Sequence, residues 1–340
     1  MYEYIKKSVA QYKANLHCHS TRSDGKLSPS ELKKIYKEQG YSVLAITDHE
    51  APYDYSEMSE NDFLMITGYE AYIRPTSGYD VYRIYKPEIH INLLAKEPHN
   101  LKYINFNDEY CKYIGKEEKD LLQKVGSQEK RRYDTEYINS FIRTAKENGY
   151  ICTYNHPTWS MEDYERIMEY EGFFSMEMCN YGSYLLNRAE YNANLYDRML
   201  RSGRRIFVHS ADDNHNAAPL DSPASDSFGA FTMILSRELS YQSVIEALER
   251  GDFYSSMGPL IKELVFDGNK VHIETSPVRQ ITMHDGGKRT AKVIGDEENP
   301  VTSADFIIPD AAKYVRLSAF DFRGGSADTR GFFRDEFENF

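Results

Sequence analysis

Cysteine is scarce and unpatterned. Cys18, Cys111, Cys152 and Cys179 show no C-x-x-C spacing, which excludes a zinc ribbon and a dense disulfide framework and leaves reduced thiols. Long apolar runs are also absent. No stretch reaches the roughly eighteen apolar residues of a membrane span, and the opening MYEYIKKSVAQYKANLHCH has no apolar stretch after its lysines. A cytoplasmic protein with no membrane partner is the expectation. Positive charge is in deficit, 41 Lys and Arg against 53 Asp and Glu for a net charge of −12, which argues against general nucleic-acid binding. A small phosphorylated substrate is not excluded, because bound divalent ions can supply the positive field that the side chains lack.

What is present suits a folded α/β protein. The 340 residues are 41% apolar and 28% charged, enough for one large domain and a small appendage. Apolar runs that suit buried strands occur at 13–19, 42–47, 63–73, 89–95, 150–156, 173–180 and 205–211. Helical segments alternate with them. The clearest runs over 29–38, where Ser28, Pro29 and Glu31 supply a capping residue, a first-turn proline and a capping-box glutamate, and Gly40 the stop. Others span about 135–148, 188–202 and 241–250, each closed by a glycine. This alternation predicts a parallel α/β barrel. The rhythm lapses over 96–133, read as a polar, partly helical insertion. After Gly258 and Pro259, short β-like runs separated by Asp-Gly and Gly-Gly turns predict a small antiparallel domain over 259–340, leaving 1–258 to the barrel.

The strongest chemical signal is Asn15-Leu16-His17-Cys18-His19-Ser20-Thr21-Arg22-Ser23-Asp24-Gly25, at the end of the first predicted strand. Histidines at i and i+2 on a strand point the same way, so both imidazoles can reach one ion while Cys18 faces the other side, and Asp24 offers a hard oxygen from the following loop. An isolated H-x-H is weak evidence. Here ligand-type residues recur at the strand ends: His49 in Thr47-Asp48-His49, Glu70 in Gly68-Tyr69-Glu70, His90, His156 in Asn155-His156-Pro157, and the pair Asp213 and His215. Strand ends of a parallel barrel converge on one mouth.

The set resembles the PHP (polymerase and histidinol phosphatase) family, whose pattern is H-x-H with a following Asp, T-D-H, G-x-E, two lone histidines and a final D-x-H. The resemblance covers roughly 14–258, and His17, His19, Asp24, His49, Glu70, His90, His156, Asp213 and His215 complete the pattern. It implies a distorted seven-stranded β/α barrel, two or three divalent ions (Mn, Fe or Zn) and hydrolysis of a phosphate ester by a hydroxide shared between ions. In similar trinuclear members, His17, His19, Glu70 and Asp213 hold one ion, Glu70 bridges to a second on His90 and His156, and Asp24, His49 and His215 hold a third. Asp24, where some branches carry histidine, matches the nucleotide-phosphatase-like branch and points to a nucleoside mono- or bisphosphate.

Asp213, Glu70 and His215 are the expected catalytic residues, with His215 a candidate for protonating the leaving alkoxide. Arg22 is the candidate phosphate clamp, weighed evenly against a solvated loop arginine. Arg74 and Arg83 suit surface ion pairs at least as well. Asp212, His209, Glu177 and Asn180 are read as supporting residues around the ligands, and Trp159 as either a core residue or a stacking surface at the mouth. His272 and His284 are expected to be dispensable. Two rival readings stand beside the phosphatase: a catalytically silent metal-binding or interaction domain, and a metal hydrolase of amides or lactones.

Overall fold

The computed structural model describes residues 1–75 and 86–337, so Arg83 lies outside the described part. The helix signals act where the sequence places them. Helix α1 (Pro29–Glu38) opens on a capping box in which the Ser28 hydroxyl accepts from the Glu31 amide and the Glu31 carboxylate accepts from the Ser28 amide. Helix α2 (Thr135–Glu147) starts on Asp134, whose carboxylate accepts from the Tyr137 amide, and buries Tyr137, Ile138, Phe141, Ile142 and Ala145 along one face. Helices α3 (Tyr181–Asn187), α4 (Ala193–Arg201) and α5 (Tyr241–Arg250) follow. The predicted helix over 188–202 is therefore the shorter α4, and the short α3 before it carried no sequence signal.

All seven predicted strands form: β1 (Ala10–Asn15), β2 (Val43–Ile46), β3 (Leu64–Ile73), β4 (Ile89–Ala95), β5 (Tyr150–Tyr154), β6 (Ser175–Asn180) and β7 (Phe207–Ala211). They do not make a seven-stranded parallel barrel. They are one stretch of a 14-stranded mixed sheet, in the order β7-β6-β5-β4-β3-β2-β1, which continues through β8 (Phe231–Ser236) and β9 (Phe253–Ser256) into five strands from the C-terminal region. Strand β4 runs antiparallel to both β3 and β5, and β8 runs antiparallel to β1. Runs buried on both faces show no alternation, so their sequence gives a strand but not its direction or neighbour.

The seven-strand stretch nevertheless curls until β7 approaches β1. Cys18 and Asn214, just beyond β1 and β7, form an isolated parallel bridge, and the Asp213 amide donates to the His17 carbonyl at 2.9 Å. Among the described residues no ladder joins β7 to β1. The reversal of β4 places its first residues at the same mouth as the last residues of its antiparallel neighbours β3 and β5. His90, second in its strand, thus arrives beside residues that follow theirs.

Beyond Gly258, Ile261–Asp267, Lys270–Val278 and Val301–Ile307 pair antiparallel with the N-terminal strand Tyr2–Ile5 in a four-stranded sheet. Their inward residues Ile261, Leu264, Phe266, Val271 and Ile273 share a core with Leu32, Tyr36, Leu44 and Ile46 around α1 and β2. Five other strands, Gln280–His284, Ala291–Ile294, Tyr314–Phe320, Ser326–Thr329 and Phe332–Phe333, extend the large sheet itself, the last as a branch on Tyr314–Phe320.

His209 in β7 is fully buried, with its Nδ1 2.8 Å from the Ser175 hydroxyl. Burial, with help from the nearby His17, lowers its imidazole to about 4. An unfolded histidine titrates near 6.5, so the stability contributed by neutral His209 is complete above that pH and is lost as pH falls toward 4, by on the order of 3 kcal/mol. Denaturant melts at stepped pH are expected to show His209→Leu losing less stability than the parent between pH 6.5 and 4; equal losses would rule out this origin.

Candidate metal centre

The local backbone at the mouth is built to turn side chains inward. Asp213 (φ 51°) and His156 (φ 27°) occupy the left-handed region that non-glycine residues rarely enter, and each lies two residues past a strand end. His17 and His19 face the centre, while Cys18 between them turns into the apolar core.

Glu70, at 1% exposure, is the hub. Its Oε1 lies 3.2 Å from His17 Nε2, 3.0 Å from His90 Nδ1 and 3.4 Å from His156 Nε2, and its Oε2 lies 2.8 Å from His49 Nδ1 and 3.5 Å from His19 Nε2. Asp213 Oδ1 stands 3.1 Å from His17 Nε2 and 2.9 Å from His19 Nε2. A second focus forms at Asp24, 3.4 Å from His215 Nε2 and 3.7 Å from His49 Nε2. The structure therefore brings together all nine residues of the sequence pattern. Their ligand atoms group as His17, His19 and Glu70; His49, Glu70 and His90; and His19, Asp24, His49 and His215. His19 and His49 each join two groups, which the sequence did not foresee.

A model of the PHP domain matches residues 15–208, more than half of the chain. The chain belongs to the PHP domain family. A 62-residue stretch is 47% identical to the 5'-3' exoribonuclease of Haemophilus influenzae, spanning 17% of this chain and only 23% of that protein. Among solved structures, a two-domain protein from Bacteroides vulgatus containing a predicted PHP-like metal-dependent phosphoesterase is 14% identical, covers 96% of both chains and has a TM-score of 0.48. An amidohydrolase from Chromobacterium violaceum with bound sulfate and no metal is 18% identical over 61% of this chain and 88% of its own, with a TM-score of 0.41.

The donor set of this PHP centre fits divalent cations. His17 Nε2 and His19 Nε2 point at each other across 3.2 Å, a spacing that leaves their lone pairs converging on one point. His19 Nδ1 is buried without a hydrogen-bond partner, and Glu70 Oε2 and His49 Nδ1, 2.8 Å apart, are buried without a well-aligned hydrogen bond, an expensive arrangement unless a cation satisfies them. Burial alone would raise the Glu70 and Asp213 carboxyls, yet the surrounding imidazoles hold both well below the usual range. Burial likewise works against a charged His90, but the Glu70 and Glu88 carboxylates push it up to about 10. His215 is raised to about 9 against its own burial by Asp24 and Asp213, whereas burial and its neighbours His215 and His49 lower His19 to about 3.

The supporting residues have defined contacts. Glu177 accepts from His17 Nδ1 at 2.9 Å and from the His156 amide at 2.6 Å, fixing two ligands with one carboxylate. Asn180 donates to Asp213 at 3.0 Å and to Glu177 at 2.8 Å. Asp212 accepts from the Phe228, Gly229 and Ala230 amides and from the Tyr36 hydroxyl, so it holds the loop rather than an ion.

Arg22 is the expected site residue that the structure does not bring to the centre. Its guanidinium lies over the Tyr53 ring and 3.8 Å from Glu118, and it does not line the cavity beside the ligands. Arg74 leans on Tyr72 and stands 3.9 Å from Glu88.

Sequence reasoning missed Asn155, which donates to Glu70 at 2.8 Å, and Glu50 with Arg131. Arg131, from the charged run of the insertion, is fully buried and makes a forked ion pair with Glu50, one residue past His49. The Glu50 amide donates to the Glu70 carbonyl at 2.8 Å, so this pair ties the insertion to two ligands. Asn155 adjoins His156 and was visible in that motif; the Glu50–Arg131 pair spans 81 residues and left no sequence signal.

Two outcomes follow from this geometry. Arg131→Met leaves the buried Glu50 carboxylate uncompensated and is expected to lower stability by about 3–5 kcal/mol in chemical denaturation; a loss under about 1 kcal/mol would contradict the pairing. In ion-free protein the raised His90 and His215 hold protons at neutral pH, and ligation requires neutral imidazoles, so loading should release protons and weaken as pH falls. Calorimetric titration with Mn in buffers of different ionisation enthalpy should show net proton release at pH 7; heats that do not depend on the buffer would contradict it.

Proposed function

We propose that this PHP protein is a metal-dependent phosphoesterase that hydrolyses a small phosphate monoester, a nucleoside mono- or bisphosphate in the first instance. The observation that carries the reading is the convergence of six imidazoles and three carboxylates, of which four imidazoles and all three carboxylates line a cavity of about 570 Å³, a volume suited to a small molecule. Support for a nucleotide comes from the short stretch shared with an exoribonuclease, which acts on nucleic-acid phosphoesters.

Two or three bound divalent ions, Mn, Fe or Zn, would activate water near neutral pH and offset the charge of the phosphoryl group. His17, His19, Glu70 and Asp213 would hold one ion, His90 and His156 with Glu70 a second, and Asp24, His49 and His215 a third. Glu70 and Asp213 fix the spacing of the imidazoles, and Glu177 and Asn180 fix His17, His156 and Asp213 in turn. No serine or cysteine nucleophile is required: Cys18 is buried in the core, and burial beside Asp48 holds its thiol well above the usual range. His215 has 32% of its side chain exposed, the most of the six histidines, and with two ions bound and the third position empty it would hand a proton from Nε2 to a leaving alkoxide; with the third ion bound, that nitrogen would be a ligand instead. In this reading the catalytic unit is 1–258, and 259–340 acts as a β-rich flank that stiffens it.

Phosphate release from nucleotides and sugar phosphates in the presence of Mn tests the proposal. The parent is expected to turn over at least one monoester. His17→Ala and Asp213→Ala should each reduce turnover by about a thousandfold or more while circular dichroism stays unchanged, because ligand loss disorganises the ions and not the core. A metal-loaded parent that releases no phosphate from any of them would overturn the reading.

A further inference from the structure

One wall of the cavity has no part in holding ions. Trp159, Leu185, Leu186 and Ala217 line it beside His90, His156 and Asp213. Leu186 is 75% exposed, an unusual placement for a large apolar side chain next to a cluster of ionisable groups.

This wall is anchored to the ligands on both sides. On one side, the Trp159 ring meets His156 at 4.7 Å and His90 at 5.1 Å, in both cases edge to face. Its backbone amide donates to the buried Glu190 at 2.6 Å, and the Thr158 amide donates to the same carboxylate at 3.0 Å, so the indole has a fixed base. On the other side, Leu185 and Leu186 sit on α3, whose capping residue is Asn180, the same side chain that holds Asp213. The Gly182 amide donates to the Asp212 carbonyl at 2.8 Å, and a Cβ at Gly182 would lie 3.0 Å from the Asp213 carbonyl oxygen and 3.2 Å from that of Asp212. A side chain at this position would push α3 and the ligand strand apart by a few tenths of an ångström. The distance between the apolar wall and the ligands is therefore set by the structure.

We infer that the Trp159, Leu185 and Leu186 wall binds a flat, uncharged ring carried by the alcohol half of the substrate, and so selects ring-bearing phosphate monoesters, such as nucleoside monophosphates, over sugar phosphates of the same phosphate geometry. The inference rests on the phosphoesterase reading and adds its recognition element. A phosphoryl group at the ligands puts the ester oxygen toward the cavity, and the next group outward meets indole and leucine. Stacking of a base on an aromatic side chain supplies about tenfold or more in affinity, and burying the exposed leucine face adds to it.

Trp159 is the single tryptophan of the chain, so its fluorescence reports occupancy of this wall without any need for turnover. Adenosine monophosphate is expected to quench it saturably in the full-length, metal-loaded protein, and ribose 5-phosphate to leave it unchanged at equal concentration. In phosphate release, kcat/KM for adenosine monophosphate should exceed that for ribose 5-phosphate by about tenfold or more, and Leu186→Asn, with Leu185→Asn as a second variant, should narrow the ratio to within about threefold, chiefly through KM. Equal turnover of the two esters by the parent, or a ratio unmoved in both variants, would overturn the inference while leaving the phosphoesterase reading intact. Saturable quenching by adenosine monophosphate with no phosphate released from any ester would support the ring site and sink the phosphoesterase reading instead.

Discussion

The structure turns on one buried carboxylate. Glu70 has the imidazoles of His17, His19, His49, His90 and His156 within 3.5 Å of its two oxygens. Desolvating a carboxylate costs several kcal/mol, and here the compensation comes from five imidazoles on four separate chain segments. That requirement explains why the strands must curl until β7 approaches β1, why His156 and Asp213 accept positive φ, and why Glu177, Asn155 and Asn180 are spent on orienting other side chains. A misplacement of any one strand end would leave charge in the centre unmatched. The same electrostatics make the assembly a receptor for cations, since its imidazole lone pairs and carboxylate oxygens converge where few protons can satisfy them.

Much of this centre was legible in the sequence because its parts are local. The i, i+2 alternation of His17, Cys18 and His19 sorts two imidazoles to one side and the thiol to the other, and the recurrence of ligand types at strand ends survives any uncertainty about strand order. Strand direction was not legible. The run at 89–95 is apolar on both faces, and only its antiparallel pairing with β3 and β5 explains how His90, at the beginning of its strand, joins residues at the ends of others. The capping box at Ser28 was readable because all its parts lie within four residues, whereas the pairing of Arg131 with Glu50 depends on how the insertion folds back. A guanidinium in the run QEKRRYD looks like solvated charge until the chain buries it. Arg22 shows the reverse error: proximity to a ligand in sequence did not carry its side chain into the cavity, because Tyr53 and Glu118 offer nearer partners.

The cavity joins two physical regimes. Its ligand side concentrates charge in a dry shell, where electrostatic interactions are strong and preorganised. Its other side, indole and leucine, gives a non-directional attraction proportional to apolar area. The hinge between them is the segment from Asn180 to Gly182, which caps a helix, holds Asp213 and passes within contact distance of the ligand strand. Through it the position of the apolar wall is fixed by the same backbone that places a ligand. The C-terminal strands extend the sheet and share its core, so the frame that holds this geometry is larger than the seven strands that carry it.

The most direct test of the central claim is anomalous diffraction from crystals of the protein grown with Mn. The account predicts at least two strong peaks within ligand distance of Glu70 and its imidazoles, one of them shared between groups through the Glu70 carboxylate. Well-ordered crystals showing no anomalous density at Glu70, or density only at the distant Glu263, His272 and Glu274 cluster, would contradict it.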